Sequence, residues 1–358
     1  MTQEQPIFSI VMPVYGVEDY IAQAISCIQA QTCPAWELIC VDDATPDASA
    51  RIAEQAAQSD ERIRVVHHDA NKGLSEARNT GMAAARGTYL WMPDPDDTYE
   101  PTLLQDCLDA LRENPACVTV FGVDECYFDA QGAFLYDHAI TPARQSLSSA
   151  AELRPHVVEL ERQTLLGYAW NKIYDLAYLR TTGARFETVK LIEDIAFNVA
   201  VFQNLDSLNV LASAPYHYAR RLRDNLTNKF IPDYYELHRR RIDMLADQQR
   251  SWGTLDGETR ATLGSLFARY VLSALERNCD PQAHMSHADR KAWIRKTFSD
   301  ELYRDLIPHA QAQNSRALAF CLRPLKARRA GTCLSLGRLI HIARGKLLPL
   351  FTRIKSER

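Results

Sequence analysis

An α/β protein built on a mostly parallel sheet is what this sequence predicts, and three observations carry that reading. The first third alternates short apolar runs with segments whose apolar residues recur at helical spacing, the rhythm of strand, crossover helix and strand. Acidic residues follow two of those runs directly, at the strand ends where open parallel sheets bind ligands. At 358 residues the chain holds one large core or two modest ones, so a catalytic domain with an appendage is expected.

Phe8 to Val14 reads as the first strand. Glu18 to Gln31 reads as a helix with Tyr20, Ile21, Ala24, Ile25 and Ile28 on its apolar side. Trp36 to Val41 is the second strand, a helix after Thr45-Pro46-Asp47 runs to about Gln58, and Ile63 to His67 is the third strand. Ser75 is placed as N-cap of a helix ending near Arg86 with Gly87 as its stop, before a fourth strand at Thr88 to Met92. A helix from Pro101 to Arg112 and a strand from Val118 to Val123 follow. Residues 129–165 look irregular and are read as a candidate lid. From Tyr234 the pattern turns helical, over Tyr234 to Gln249, Glu258 to Asn278 and Asp289 to Leu306.

The formal net charge of −4 gives no reason to expect a nucleic-acid binder. Nine Cys stand singly, with no C-x-x-C pair and no His at zinc-finger spacing, so neither a disulfide framework nor a structural zinc is expected and a reducing compartment fits. The N-terminus lacks the basic start and apolar run of a signal peptide, and no stretch is apolar for long enough to span a bilayer; a cytoplasmic location is expected.

Asp42-Asp43 ends the second strand, and Asp94, Asp96 and Asp97 end the fourth. Carboxylates crowded on one short loop repel unless a cation or hydrogen-bond donors offset the charge, and Mg²⁺ or Mn²⁺ bridging to a substrate diphosphate answers both needs. Taken alone, Asp42-Asp43 also fits a solvated loop or a helix cap. Glu193-Asp194 opens a helix in LIEDIAFN. There a carboxylate suits the helix dipole, or, as Asp194, serves as a general base toward an acceptor hydroxyl.

In order, FSIVMPVYGVEDYI, WELICVDDATPD, NKGLSEARNTGMAAARGTYLWMPDPDD, AWNKIYDLAYLRTTGARF and LIEDIAFN resemble the family-two glycosyltransferases of GT-A fold, especially bacterial members that build lipopolysaccharide, capsule or exopolysaccharide. The resemblance spans about 220 residues and implies a Rossmann-like sheet flanked by helices, with a helical C-terminal extension. It implies an inverting transfer from a nucleotide sugar, most often a UDP-sugar, to a saccharide or lipid-linked saccharide acceptor. Asp43 matches the residue that binds the donor's base, with Val14 and Tyr15 lining that pocket. Asp94 and Asp96 match the D-x-D pair, Asp94 near ribose and metal and Asp96 on the metal. Asp194 matches the catalytic base, and Arg78 and Asn79 lie at positions near the donor. Gly16 replaces a usual Asn and Pro95 a usual small residue, neither of which removes a required carboxylate. A nucleotidyltransferase, which has no need of Asp194, and a non-catalytic nucleotide-sugar-binding or scaffolding subunit are the alternatives.

Arg78 fits a phosphate contact or a structural ion pair equally. Trp170 reads as a core anchor rather than a sugar platform, and Lys172 shares that ambiguity. Adjacent His67 and His68 on a strand point to opposite faces and do not share an ion. His217, Arg220, Arg221 and Arg223 form a basic stretch that closes over a diphosphate or is simply solvated. The predicted divisions are 1–215, 216–315 and a basic tail, 316–358. In the tail Leu336, Leu339, Ile340, Ala343, Leu347, Leu350, Phe351 and Ile354 form one apolar stripe, interrupted at Pro349. That stripe suits an anionic membrane surface, with attraction of roughly 1 kcal/mol per basic residue, or packing on the helical domain or a second subunit. Sparse aromatics argue against nucleic acid.

Overall fold

The computed structural model describes residues 5–221, 230–312 and 315–346. The chain forms two compact units, Met1–Asn225 and Leu226–Arg358.

In the first unit β1 (Phe8–Val14), α1 (Ile21–Gln29), β2 (Trp36–Asp42), α2 (Ser49–Ser59), β3 (Ile63–His67), α3 (Leu74–Ala84) and β4 (Tyr89–Trp91) follow the expected order. All seven residues of β1 and of β2 are buried, as strands covered on both faces must be. The chain continues through β5 (Thr98–Tyr99), α4 (Leu103–Glu113), β6 (Val118–Val120), β7 (Val123–Phe128), β8 (Phe134–Ile140), β9 (Gln145–Leu147), α5 (Ala150–Arg162), β10 (Lys172–Asp175), α6 (Leu176–Thr182), α7 (Glu193–Phe202), β11 (Leu208–Val210) and β12 (Tyr216–Arg221). An eight-stranded sheet has the order β3-β2-β1-β4-β10-β6-β11-β9, and a four-stranded sheet the order β5-β12-β7-β8. In the larger sheet β3, β2, β1 and β4 are parallel, while β10 runs antiparallel to both β4 and β6.

Two expectations about the first unit are corrected. Residues 129–165 are not irregular: β8, β9 and α5 occupy most of them, and β8 pairs antiparallel with β7. Ser75 does not cap its helix. The chain enters α3 from Gly73 at φ +89°, and the Ser75 hydroxyl donates instead to the Glu187 carbonyl at 2.7 Å. The first unit also runs past residue 215, because β12 is hydrogen-bonded between β5 and β7.

The second unit contains α8 (Tyr234–Trp252), α9 (Gly257–Arg277), α10 (His287–Ser299), α11 (Glu301–Leu306), α12 (Arg316–Lys326) and α13 (Ala330–Lys346). The expected helix from Asp289 to Leu306 is two, divided at Asp300, whose carboxylate caps α11 by accepting from the Leu302 and Tyr303 amides. The tail's stripe splits. Cys333 and Leu336 are buried, Gly337 lies so close to the Leu275 carbonyl that a side chain would clash, and His341 meets Glu276 at 3.0 Å, so this face packs on α9. Leu339 and Ile342 face outward. Leu347, Pro349, Leu350, Phe351, Ile354 and Arg223 lie outside the described residues. Among the described residues no helix is long and apolar enough to cross a membrane.

Candidate functional site

The ends of β1, β2 and β4 and the start of α7 bring the predicted site residues onto one side of the larger sheet. Residue Arg78 is the centre of the arrangement. α3 presses against β1 so closely that a Cβ on Gly81 would stand 2.2 Å from Val11, and Arg78, one turn earlier, is buried between helix and sheet. Its Nη2 donates to Asp94 Oδ1 at 2.8 Å and its Nη1 to Asp194 Oδ1 at 2.5 Å. Asp194 Oδ2 also accepts from the Ala169 amide at 3.1 Å. One guanidinium therefore spans the D-x-D loop and the expected base. Burial works against the Arg78 charge, but Asp194 and Asp94 together hold its pKa above the usual guanidinium value.

The acidic loop 93–97 is clamped from β12. Asp97 is buried and accepts from the Tyr216 hydroxyl at 2.7 Å and the Ala219 amide at 2.8 Å. Asp96 accepts from Arg221 at 3.0 Å, and Arg221 also donates to the Asp96 carbonyl at 2.7 Å. Beneath the loop, Trp170 stacks on Tyr216 at 4.3 Å and the Trp91 indole N–H donates to the Trp170 carbonyl at 2.8 Å. Trp170 is thus the core anchor expected. Lys172 is likewise internal, donating to the Leu165 and Tyr168 carbonyls and to Asn171.

Burial pushes the Asp94 carboxyl up to about 6, helped by Asp96 and Asp194 and opposed by Arg78. Burial raises Asp96 against the pull of Arg221, and raises Asp97 well above the carboxylate range with Asp96 and Asp94 adding to it. Glu193 is raised by burial and by Asp194, and its Oε2 is buried without a partner. This is a site with surplus negative charge.

The loop after β2 is different. Asp43 Oδ1 accepts from the Lys72 amide at 2.8 Å and meets His68 Nδ1 at 2.7 Å, while Oδ2 accepts from the Gly73 amide at 2.7 Å. Its own amide donates to the Val14 carbonyl at 3.0 Å, which ties the β1 and β2 ends together. Tyr15 is half exposed beside it, and Gly16 adopts φ +67°, the left-handed region that glycine and asparagine tolerate best. His67 meets Asp42 at 2.9 Å, so the two histidines serve adjacent aspartates rather than one ion. Asn79 clamps the Phe186 backbone through both its amide atoms and is structural.

Sequence reasoning left open Arg221, which reads equally as solvated, and missed Tyr216 and the Ala169 amide. The one signal for Tyr216 and Arg221 is the aromatic and basic alternation of YHYARR in β12, and the Ala169 amide has none. Asp194, Asp94, Asp96 and Arg78 come together as grouped. Val14, Tyr15 and Asp43 form the adjoining corner.

Comparison with known proteins agrees with this geometry. The family described as "Glycosyl transferase family 2" matches residues 9–145. The chain is 28% identical over 314 residues to the uncharacterized glycosyltransferase EpsJ of Bacillus subtilis (strain 168), covering 87% of this chain and 89% of EpsJ. It is 27% identical over 254 residues to the succinoglycan biosynthesis protein ExoO of Rhizobium meliloti (strain 1021), covering 68% and 72%. The crystal structure of S. aureus TarS 1-349 in complex with UDP-GlcNAc superimposes with a TM-score of 0.60 at 18% identity, over 92% of this chain and 90% of that one. A larger parallel-rich sheet with acidic loops at two strand ends thus coincides with a match of residues 9–145, the segment that builds both loops, to the glycosyl transferase family 2 model, on a GT-A-like fold.

Proposed function

We propose that this protein is an inverting, metal-assisted glycosyltransferase that moves a sugar from a UDP-sugar to an acceptor hydroxyl during assembly of a bacterial cell-surface polysaccharide. The observation that carries the reading is the Arg78 bridge, which holds the Asp94 side of the donor loop and Asp194 within the span of one guanidinium. A relative named for succinoglycan biosynthesis and a neighbour of the same fold crystallised with UDP-GlcNAc support the donor and pathway class.

In this reading Asp43 and the Val14–Tyr15 corner receive the nucleotide base, and Asp94 and Asp96 hold Mn²⁺ or Mg²⁺. Both carboxyls are raised chiefly by burial, and a divalent cation bound there would favour their charged forms and offset that cost. When bound, the ion offsets charge on the departing diphosphate. Asp194, oriented by Arg78 and the Ala169 amide, keeps a lone pair on each oxygen to take the acceptor proton. A nucleotidyltransferase has no use for that carboxylate.

Outward-facing Phe320, Leu339 and Ile342, with exposed Arg323, Arg328, Arg329 and Arg338 nearby in sequence, support contact of the second unit with an anionic membrane surface where a lipid-linked acceptor resides. Sedimentation with vesicles that contain anionic lipid, lost for Phe320→Ser with Leu339→Ser, checks this.

The function is tested by release of nucleoside diphosphate from UDP-, GDP- and dTDP-sugars with and without Mn²⁺. Metal-dependent release from a UDP-sugar, reduced at least about 100-fold in Asp194→Asn and in Asp96→Ala, is expected. Metal-dependent donor binding without turnover in the wild type would favour the scaffolding alternative.

A further inference from the structure

The smaller sheet carries a second constellation, apart from the donor loop. Asp124 and Cys126 alternate along β7 and so share a face, and the parallel register sets His217 of β12 opposite Asp124 and Ala219 opposite Cys126. The ligand atoms of Asp124, Cys126 and His217 all lie within 4.8 Å of one another. His217 Nδ1 stands 3.5 Å from Asp124 Oδ2, and Cys126 Sγ stands 3.9 Å from that same oxygen. A tetrahedral ion with nitrogen and oxygen ligands at about 2.0 Å and sulfur at about 2.3 Å separates them by roughly 3.3–3.6 Å, so the three need only small rotations.

A second observation points the same way. The far nitrogen of the ring, Nε2, lies 2.9 Å from the Glu100 carboxylate. When that nitrogen donates, Nδ1 turns its lone pair toward Asp124, whose Oδ1 is buried and has no hydrogen-bond partner. Two acceptors then face each other around a thiol. A carboxylate behind the distal nitrogen is also the support that metal-bound histidines receive, because it fixes the tautomer and strengthens the ligand.

We propose that Asp124, Cys126 and His217 bind a zinc ion, with Glu100 orienting His217 from behind and water or Asp137 of β8 completing the tetrahedron. The thiolate and imidazole select Zn²⁺ over the Mg²⁺ or Mn²⁺ that all-oxygen carboxylate sites prefer. Because the ligand is the thiolate, zinc binding releases the Cys126 proton to solvent. The ion pins β7 to β12, the strand whose Tyr216, Ala219 and Arg221 hold the acidic loop. The role is structural and separate from the donor's metal.

Full-length protein loaded with Co²⁺ is read for the near-ultraviolet thiolate-to-cobalt charge-transfer band, and zinc content after gel filtration is read by elemental analysis. One equivalent of zinc and a clear band are expected in the wild type and in Asp96→Ala, with both lost in Cys126→Ser and His217→Ala. Glu100→Gln keeps every ligand, and its zinc affinity should fall about 10–100-fold. Circular dichroism confirms that each variant is folded. A wild type with neither band nor retained zinc, or a band that survives in both Cys126→Ser and His217→Ala, overturns the proposal and leaves His217 as a side chain bridging Glu100 and Asp124 across the two strands.

Discussion

The loops after β2 and β4 make an instructive pair, because each places aspartates at the end of a parallel strand and each treats them in a different way. Asp43 is neutralised by the protein itself: two amides and a histidine supply three close donors. The loop after β4 has fewer donors than its charge requires. Arg78 and Arg221 serve Asp94 and Asp96, yet all three aspartates remain harder to ionise than in water. Identical side chains at equivalent strand ends are thus treated differently, one fixing a corner and the other, in the proposed function, taking a cation.

The sharpest way to break that contrast is at Arg78. Arg78→Met removes the only cation that touches both Asp94 and Asp194 among the described contacts, and leaves two part-buried carboxylates without their counter-ion. A loss of about 3–5 kcal/mol in urea unfolding is expected, with activity lost as well. Arg78→Lys should recover little, since an ammonium does not reproduce the forked geometry.

Asp43→Asn tests the other loop. Its amide nitrogen cannot accept from the Lys72 or Gly73 amides, so a loss of about 1.5–3 kcal/mol is expected at neutral pH. The same variant should bind donor less tightly in calorimetry, because the corner formed with Val14 and Tyr15 loosens. Tyr216→Phe is expected to cost about 1–3 kcal/mol by leaving buried Asp97 short of a donor, measured again by denaturant midpoint.

The last effect is in pH. Folded, Asp94 keeps its proton up to about pH 6, whereas its ordinary value is 3.8, so the folded state binds more protons between those limits. Metal-free stability therefore falls as pH rises from 3.8 to about 6 and does not return above it. Asp94→Asn should remove that slope and raise the melting temperature of the metal-free protein at pH 7. Mn²⁺ added to the wild type at pH 7 should raise it too. A stability profile unchanged by Asp94→Asn would erase the distinction between the loops.

Much of the parallel half was legible, for reasons visible in particular residues. β1 and β2 are continuous apolar runs ending in polar residues, and the helices beside them carry apolar residues at helical spacing. The stretch from 129 to 165 was opaque because β8 is exposed or half-exposed along its length and so has no apolar period, while Pro155 lies inside α5 and disguises a helix. The acidic residues announced themselves through clustering. Their partners did not: Arg221 reaches Asp96 across 125 positions and Arg78 reaches Asp194 across 116, distances that no local pattern encodes. The Asp124–Cys126–His217 group is equally non-local, since only the parallel pairing of β7 with β12 brings it together.

The aromatic stack under the acidic loop has a spectroscopic consequence. Trp91 and Trp170 are joined by a hydrogen bond, Trp170 lies on Tyr216, and the Tyr216 hydroxyl touches both Asp97 and the Asp94 amide. Indole emission responds to nearby charge and to ring contacts, so these two chromophores sit where a cation or diphosphate changes the local field. If the proposed function holds, emission titrated against UDP and Mn²⁺ should change as the loop fills, which gives a readout of donor loading without a label or a known acceptor.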